Sequence, residues 1–303
     1  MKTLIVGSGV VGEATGTVLC KNGNSVVFYD VDRKRLEILK GKGLHVADSI
    51  DEAVVDSTVI FICVPTPTVN GSIDLSYVEE ATVNIGKALS HTDSYRVVVV
   101  RSTVVPTTTR CRVVPLLQKH SGLVQGSDFG VCMNPEFLRD NSALEDSLNP
   151  SRIVIGELDK RSGDLLEQMY LSFKAPIIRM DLDTAEMVKY ASNLFLATKI
   201  SFFNEIQMIC AKLGLDANVV GKAVSLDPRI GEYGVYGGRP FEGKCLPKDL
   251  IAFRGFVRAL NVNPKLLDAV SSVNAEMSGH VSKKSKARNA RTNLNKVQNT
   301  SRV

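Results

Sequence analysis

Residues 1–30 read MKTLIVGSGVVGEATGTVLCKNGNSVVFYD. Lys2 to Gly7 is an aliphatic run that ends in glycine, Ser25 to Asp30 is a second, and a helix-length stretch from about Val10 lies between them. Strand, glycine loop, helix and strand in that order begin a βαβ unit. The loop Gly7-Ser8-Gly9-Val10-Val11-Gly12 spaces its glycines as G-x-G-x-x-G. The first glycine permits a tight turn, the second lets backbone approach a pyrophosphate, and the third lets the helix pack closely, while the helix N-terminus supplies positive potential. Asp30, at the end of the next strand, can accept hydrogen bonds from both ribose hydroxyls and would repel a 2′-phosphate, which favours NAD over NADP.

The pattern continues outward. SVVFYD precedes a helix from about Asp32, TVIFICV precedes one over Leu75 to Leu89, and RVVVVRST precedes one over Thr107 to Gln118; RIVIG and PIIRM follow. Such alternation predicts an α/β domain with a doubly wound, Rossmann-type parallel sheet over residues 1–180. From Asp181 the texture changes, because about thirty residues without a turn signal keep their apolar side chains at helical spacing, longer than an ordinary globular helix. This reads as a connecting helix with Gly214 as its stop, leading into a small all-helical domain over 181–278. RIGEYGVYGGRPFEGKC forms a glycine-rich link, and KDLIAFRGFVRAL and PKLLDAVSSVNAEM carry helical patterns.

Composition narrows the class. With 303 residues, 44% hydrophobic and 23% charged, the chain can bury a sizeable core. No unbroken apolar run reaches the roughly 18 residues of a membrane span, and the first residues lack a signal-peptide pattern, so a cytoplasmic protein is expected. The net charge of +5 rests on seven cations after Ser278, without which the body carries −2. Residues 279–303 therefore read as a basic, disordered tail, and nucleic acid and membrane are not expected as partners. The six cysteines form no CxxC pair, and His45, His91, His120 and His280 show no ligand spacing, so no metal is expected.

Chemistry-bearing residues gather where a doubly wound sheet places ligands, at strand ends: Val64-Pro65-Thr66-Pro67, Ser102-Thr103 and Asn134-Pro135-Glu136-Phe137-Leu138. Lys189 and Asn193 share one face of the long helix. Spacing alone leaves Lys189 solvated and paired with Glu186. Cys20, Cys63, Cys111, Cys132 and Cys210 lie within apolar patterns and read as core residues. Cys245 differs, standing before a helix start at Pro247-Lys248-Asp249, where a helix N-terminus and the lysines at 244 and 248 can lower a thiol pKa. One reactive thiol in a dehydrogenase suggests aldehyde chemistry through a thiohemiacetal.

These residues together resemble the UDP-glucose/GDP-mannose dehydrogenase family of nucleotide-sugar dehydrogenases. The matching stretches are GSGVVG, ICVPTPTVNGSIDLSYVE, RSTVVPTTT, NPEFLRDNSALED, NPSRIVIG, AEMVKYASNLFLATKISFFNEI, DPRIG and GKCLPKD, in the family's order over about residues 1 to 277. The resemblance implies an NAD-binding domain, a homodimer formed through the long central helix, and oxidation of the C6 alcohol of UDP-glucose to UDP-glucuronate with two NAD per turnover, for polysaccharide synthesis. It makes Cys245 the nucleophile on the C6 aldehyde, Lys189 the oxyanion partner with Asn193 beside it, Glu136 and Asp249 the proton and water handlers, and Thr103 the holder of a bridging water. Cofactor contacts so implied are Gly7, Gly9, Val10, Val11, Gly12, Asp30, Arg35, Ser76, Thr103, Asp140 and Lys248. Substrate contacts are Glu136, Phe137, Leu138, Lys189, Asn193, Arg229, Gly234, Val235, Tyr236, Gly237, Gly238 and Gly243.

Three features depart from the family pattern. Members normally continue into a third, nucleotide-binding domain. Glu242 stands where a glycine is usual, a position at which a side chain meets substrate or demands an unfavourable φ, and Asp140-Asn141 replaces Glu-Gly. These departures motivate a non-catalytic or truncated NAD-binding dimer as the alternative reading. GDP-mannose and UDP-N-acetylmannosamine are the alternative substrates, and a hydroxyacid-type dehydrogenase is a third reading in which Cys245 is dispensable.

Overall fold

The computed structural model describes residues 1–279; the remainder of the basic tail lies outside them. In chain order the elements are β1 (Lys2–Val6), α1 (Val10–Lys21), β2 (Ser25–Tyr29), α2 (Arg33–Gly41), α3 (Ile50–Asp56) and β3 (Val59–Ile62). A hairpin of β4 (Thr68–Val69) and β5 (Ser72–Ile73) follows, then α4 (Ser76–Leu89), β6 (Arg96–Val100), α5 (Val114–Ser121), β7 (Phe129–Met133) and α6 (Ala143–Leu148). Next come β8 (Ile153–Glu157), α7 (Lys160–Tyr170), β9 (Ile177–Asp181) and the long α8 (Leu182–Leu213).

The sheet has seven strands in the order β2-β1-β3-β6-β7-β8-β9. Strand order reverses between β1 and β3, so a ligand crevice is expected beyond their C-terminal ends, at Gly7 and Val64. The strands alternate between two cores. Leu4, Val6, Ile60, Ile62, Val98 and Val100 pack with Ile85 and Leu89 of α4 and Leu117 of α5. On the other face Ile5, Val59, Phe61, Val97 and Val99 pack with Leu19 of α1, Leu39 of α2 and Leu166 of α7. Burial on both faces explains why the strands read as continuous apolar runs.

The sheet is not parallel throughout. β8 pairs antiparallel to β7, with Cys132 opposite Glu157 and Met133 opposite Gly156, and β9 then runs parallel to β8. The chain between β7 and β8 turns back through α6, which packs against α1, instead of making a crossover. The helix expected over Thr107 to Gln118 starts differently as well: Thr107 has φ 76°, and residues Thr109–Val113 form a π-helical turn before α5. The β4–β5 hairpin turns at Asn70 (φ 50°) and Gly71 (φ 81°), the Asn-Gly signature of a tight two-residue hairpin.

Compact packing divides the chain within α8, after Tyr190. The first turns of α8 belong to the sheet domain because Leu182 and Ala185 sit in its core. From Ala191 the second unit contains the rest of α8, α9 (Ala217–Ser225), α10 (Leu246–Ala259) and a helix α11 over 265–279, with no strand among the described residues. α8 is long and apolar enough to cross a membrane by length and composition alone. Its buried polar side chains Glu186, Lys189, Asn193, Ser201 and Asn204 are instead bonded within the protein.

Packing around the glycine loop is unequal. A Cβ on Gly12 would lie 2.0 Å from the Gly7 carbonyl oxygen, whereas one on Gly9 would meet nothing within 4 Å. Gly12→Ala is expected to lower the unfolding free energy by about 1–3 kcal/mol, with Gly9→Ala within about 0.5 kcal/mol of the parent. Urea denaturation of both variants checks this; equal losses would mean that the loop is not packed as described.

Candidate functional site

The glycine loop and Asp30 come together as the sequence implies. Gly7 takes φ 89° and donates its N–H to Tyr29 O at 2.9 Å, turning the chain tightly out of β1. The Asp30 carboxylate accepts the Ser8 N–H at 2.6 Å and the Asp32 N–H at 3.0 Å, so its place beside the loop is fixed. Arg35 donates from Nε to Ser8 O at 2.5 Å and pairs with Glu13, which also holds Lys42. Burial pushes the Glu13 carboxyl up, but Lys42 and Arg35 more than reverse this and hold it below its ordinary value. A cleft of about 520 Å³ runs along α1, lined by Val10, Glu13, Ala14 and Arg35 among others.

The helix starts of the first unit are of two kinds, with and without a side-chain cap. Asp32, Ser49 and Asp159 cap α2, α3 and α7 by accepting Lys34 N–H, Glu52 N–H and Ser162 N–H. α1 begins at Gly9 with no side-chain cap. The first amides of a helix have no intrahelical partner, so α1 presents donors to an anion at an open glycine. A dinucleotide pyrophosphate fits this cradle.

At the end of β7 the segment Asn134–Leu138 is held by buried polar contacts. Glu136 accepts Lys189 Nζ at 2.8 Å on Oε1 and the Leu138 N–H at 2.6 Å on Oε2. Lys189 is thus buried and paired with Glu136, not solvated beside Glu186, because the first turns of α8 lie on the sheet. Burial pushes the Glu136 carboxyl up, yet the Lys189 charge and hydrogen bond, the Leu138 N–H and the Arg101 charge together bring it below the ordinary range. Phe137 is covered by the Arg152 guanidinium, 3.7 Å from its ring centroid, with Lys189 Nζ at 5.7 Å from the same centroid.

The other strand ends join nearby. Thr66 donates Oγ1 to Thr103 O at 2.8 Å, and Ser102 donates Oγ to Val64 O at 2.7 Å, tying the loop after β3 to the loop after β6. Ser76 opens α4 with its N–H bonded to Asp74, and Asp140 opens a short 3₁₀ turn.

In the second unit Asp249 is buried, accepting Asn193 Nδ2 at 2.6 Å on Oδ2 and Lys248 Nζ at 2.6 Å on Oδ1. Cys245 is half-buried at the N-cap of α10. The glycine-rich link needs its glycines: φ is 75° at Gly234, 102° at Gly238 and 87° at Gly243, and a Cβ on Gly237 would lie 2.3 Å from Phe203 O. Val235 is buried, Tyr236 is exposed, and Arg229 points outward against Asp227. The positive φ falls on Gly243 and not on Glu242, so the glutamate imposes no backbone strain.

Several groups escape a reading by spacing. Asn204 clamps the glycine-rich link through Arg239 O and the Gly238 N–H, and Asn274 holds Phe241 from α11. Both lie in helical stretches where an asparagine signals nothing by period. Burial pushes the Cys63 and Cys132 thiols up to about 12, as expected of inert core thiols. Cys111 is exposed, correcting its core reading, because the π-helical turn rotates it outward. Glu186 is fully buried, accepts the Thr109 N–H and hydroxyl on Oε1, and leaves Oε2 without a partner.

A doubly wound sheet with an open glycine cradle, followed by an all-helical unit, has the architecture of a dinucleotide-binding protein. Residues 37–174 match the UDP-glucose/GDP-mannose dehydrogenase family, NAD binding domain, and residues 183–276 match the central domain of that family. The chain belongs to the UDP-glucose/GDP-mannose dehydrogenase family. It is 37% identical to the UDP-glucose 6-dehydrogenase TuaD of Bacillus subtilis, over 92% of this chain and 64% of that protein. It is also 37% identical to the GDP-mannose 6-dehydrogenase of Pseudomonas aeruginosa, over 91% of this chain and 68% of that protein. The solved UDP-glucose dehydrogenase of Pyrobaculum islandicum superposes with a TM-score of 0.88 at 37% identity, covering 95% of this chain and 71% of that one. The chain thus spans about two thirds of the length of these relatives.

Burial raises the Glu186 carboxyl from 4.5 to about 7, outweighing the Thr109 hydrogen bonds, and Asp183 adds to the rise. A raised carboxyl stabilises the fold below its unfolded pKa and loses that contribution as pH rises through its folded value. Glu186→Gln should match the parent near pH 4.5 and exceed it by on the order of 3 kcal/mol above pH 7. Urea denaturation across pH 4.5 to 8 checks this; a pH-independent difference would refute it.

Proposed function

We propose that this chain oxidises the C6 alcohol of a nucleotide sugar, UDP-glucose, to the carboxylate with NAD as hydride acceptor. The observation that carries the reading is Cys245 at the N-cap of α10, where the helix terminus favours a thiolate. The open cradle at Gly9, the fixed Asp30 and the adjacent Arg35 support Gly7, Gly9, Val10, Val11, Gly12, Asp30 and Arg35 as NAD contacts. When bound, NAD takes up one hydride in each of the two oxidation steps.

The residues divide the remaining work. After the first oxidation, Cys245 Sγ adds to the C6 aldehyde, giving a thiohemiacetal on the protein. Lys189 donates to the developing oxyanion, an interaction that strengthens where water is excluded, and Lys189 is fully buried. Loss of the second hydride leaves a thioester on Cys245. Water then attacks the thioester carbon, freeing the thiol and the carboxylate product. Glu136, held ionised by its cations, and Asp249, held by Asn193 and Lys248, accept the protons released. Thr103 holds the water. Phe137, Leu138, Arg229 and the glycine-rich link Gly234–Gly238 with Gly243 receive the sugar nucleotide.

Self-association through α8 belongs to the same reading. Phe195, Phe202 and Ile209 recur every seven residues on α8 and are all exposed, forming an apolar stripe suited to a second copy. UDP-glucose is favoured as substrate by the close superposition on the Pyrobaculum islandicum structure.

With NAD in excess, the chain should form two NADH per UDP-glucose consumed, and Cys245→Ala should form no UDP-glucuronate. GDP-mannose and UDP-N-acetylmannosamine assayed in parallel should be poorer substrates. One NADH per sugar, or acid formation by Cys245→Ala, would exclude the thioester route. Thermal stabilisation by NAD without any NADH would point to the non-catalytic module.

A further inference from the structure

We propose that Arg101 is the positioning residue for Glu136: its guanidinium grips the Asn134–Pro135 backbone and adds a second positive charge to the carboxylate's surroundings. Arg101 follows β6, and its own N–H is fixed to Ile62 O at 2.9 Å. One terminal nitrogen, Nη1, reaches Asn134 Oδ1 at 2.6 Å, Asn134 O at 3.1 Å and Pro135 O at 3.3 Å. Asn134 is fully buried and bonded on every side. Its N–H donates to Val100 O at 2.9 Å, its Nδ2 donates to Val154 O at 2.7 Å, and its Oδ1 also accepts the Tyr170 hydroxyl at 2.7 Å.

Asn134 thus ties β6, β8 and α7 to the end of β7, and Arg101 grips the two carbonyls immediately before Glu136. Pro135 has no N–H and a fixed φ, so the path from this node to Glu136 has little freedom. Two cations therefore serve the carboxylate. Lys189 contacts it directly from α8, and Arg101 acts from behind the loop. Among the described residues, Tyr170 on α7 and Cys63 after β3, both buried, also feel the Arg101 charge. When Lys189 turns its hydrogen bond toward an oxyanion, Arg101 keeps Glu136 ionised. Only this catalytic consequence rests on the function proposed above, because the positioning itself is measurable without turnover.

The test is the titration of Glu136 in the 303-residue chain, followed by carbon-13 NMR of labelled glutamate carboxyls and assigned by Glu136→Gln. Arg101→Gln should raise the Glu136 midpoint by about one pH unit. Arg101→Lys, which keeps the charge, should restore most of the shift. Tyr170→Phe removes a hydrogen bond from the same node without removing charge, so it should destabilise the fold and leave the midpoint in place. An unchanged midpoint in Arg101→Gln, or an equal rise in Tyr170→Phe, would overturn the proposal. Should Arg101→Gln not fold, the coupling is read in the parent from the Arg101 Nε–H resonance. That resonance should shift as pH falls below 4.5, the ordinary glutamate value, and the shift should vanish in Glu136→Gln; superimposable curves would overturn the proposal equally.

Discussion

A carboxylate and an ammonium are buried together at the end of β7, and the contact ties two distant stretches of the first unit. Glu136 and Lys189 have side-chain exposures of 7% and 3%. Removing two such charges from water costs several kcal/mol per ion, which their attraction offsets only with good geometry and further hydrogen bonds. The structure supplies both: a 2.8 Å contact, the Leu138 N–H on the second carboxylate oxygen, and Arg101 behind the loop. The pair pins the first turns of α8 to the sheet.

The cradle at α1 rests on a different constraint. The helices α2, α3 and α7 satisfy a first amide with a preceding Asp or Ser, and α1 does not. Its N-cap glycine faces open space while Gly12 is pressed against the Gly7 carbonyl. One glycine is needed for packing and the other for access. Asp30, held by two backbone N–H groups, keeps its remaining lone pairs available at the same edge. The fold itself leaves the first amides of α1 without a side-chain cap.

Much of this was legible in the residues. G-x-G-x-x-G between two apolar runs fixed the first unit, and Asp30 stood at the expected strand end. Long-range partners were not legible. Lys189 has Glu186 three residues before it, so local spacing suggested that pair, but its actual partner lies 53 residues away on another element. Strand direction was hidden as well, because the side-chain period of β8 is the same in either orientation and only the return through α6 decides it. Arg101 looked like one basic residue before Ser102-Thr103; its role appears only when the end of β7 is placed beside it. The exposed Cys111 was misread because a π-helical turn shifts the helical phase.

A double-mutant cycle between Glu136 and Lys189, measured by urea denaturation at pH 7, addresses the central interaction most directly. Glu136→Gln and Lys189→Met should each cost about 3 kcal/mol by stranding the other charge. The double variant should cost much less than their sum, giving a coupling energy above about 2 kcal/mol. Additive losses, within about 0.5 kcal/mol, would mean that the two groups do not stabilise each other, and that the end of β7 is held to α8 by something else.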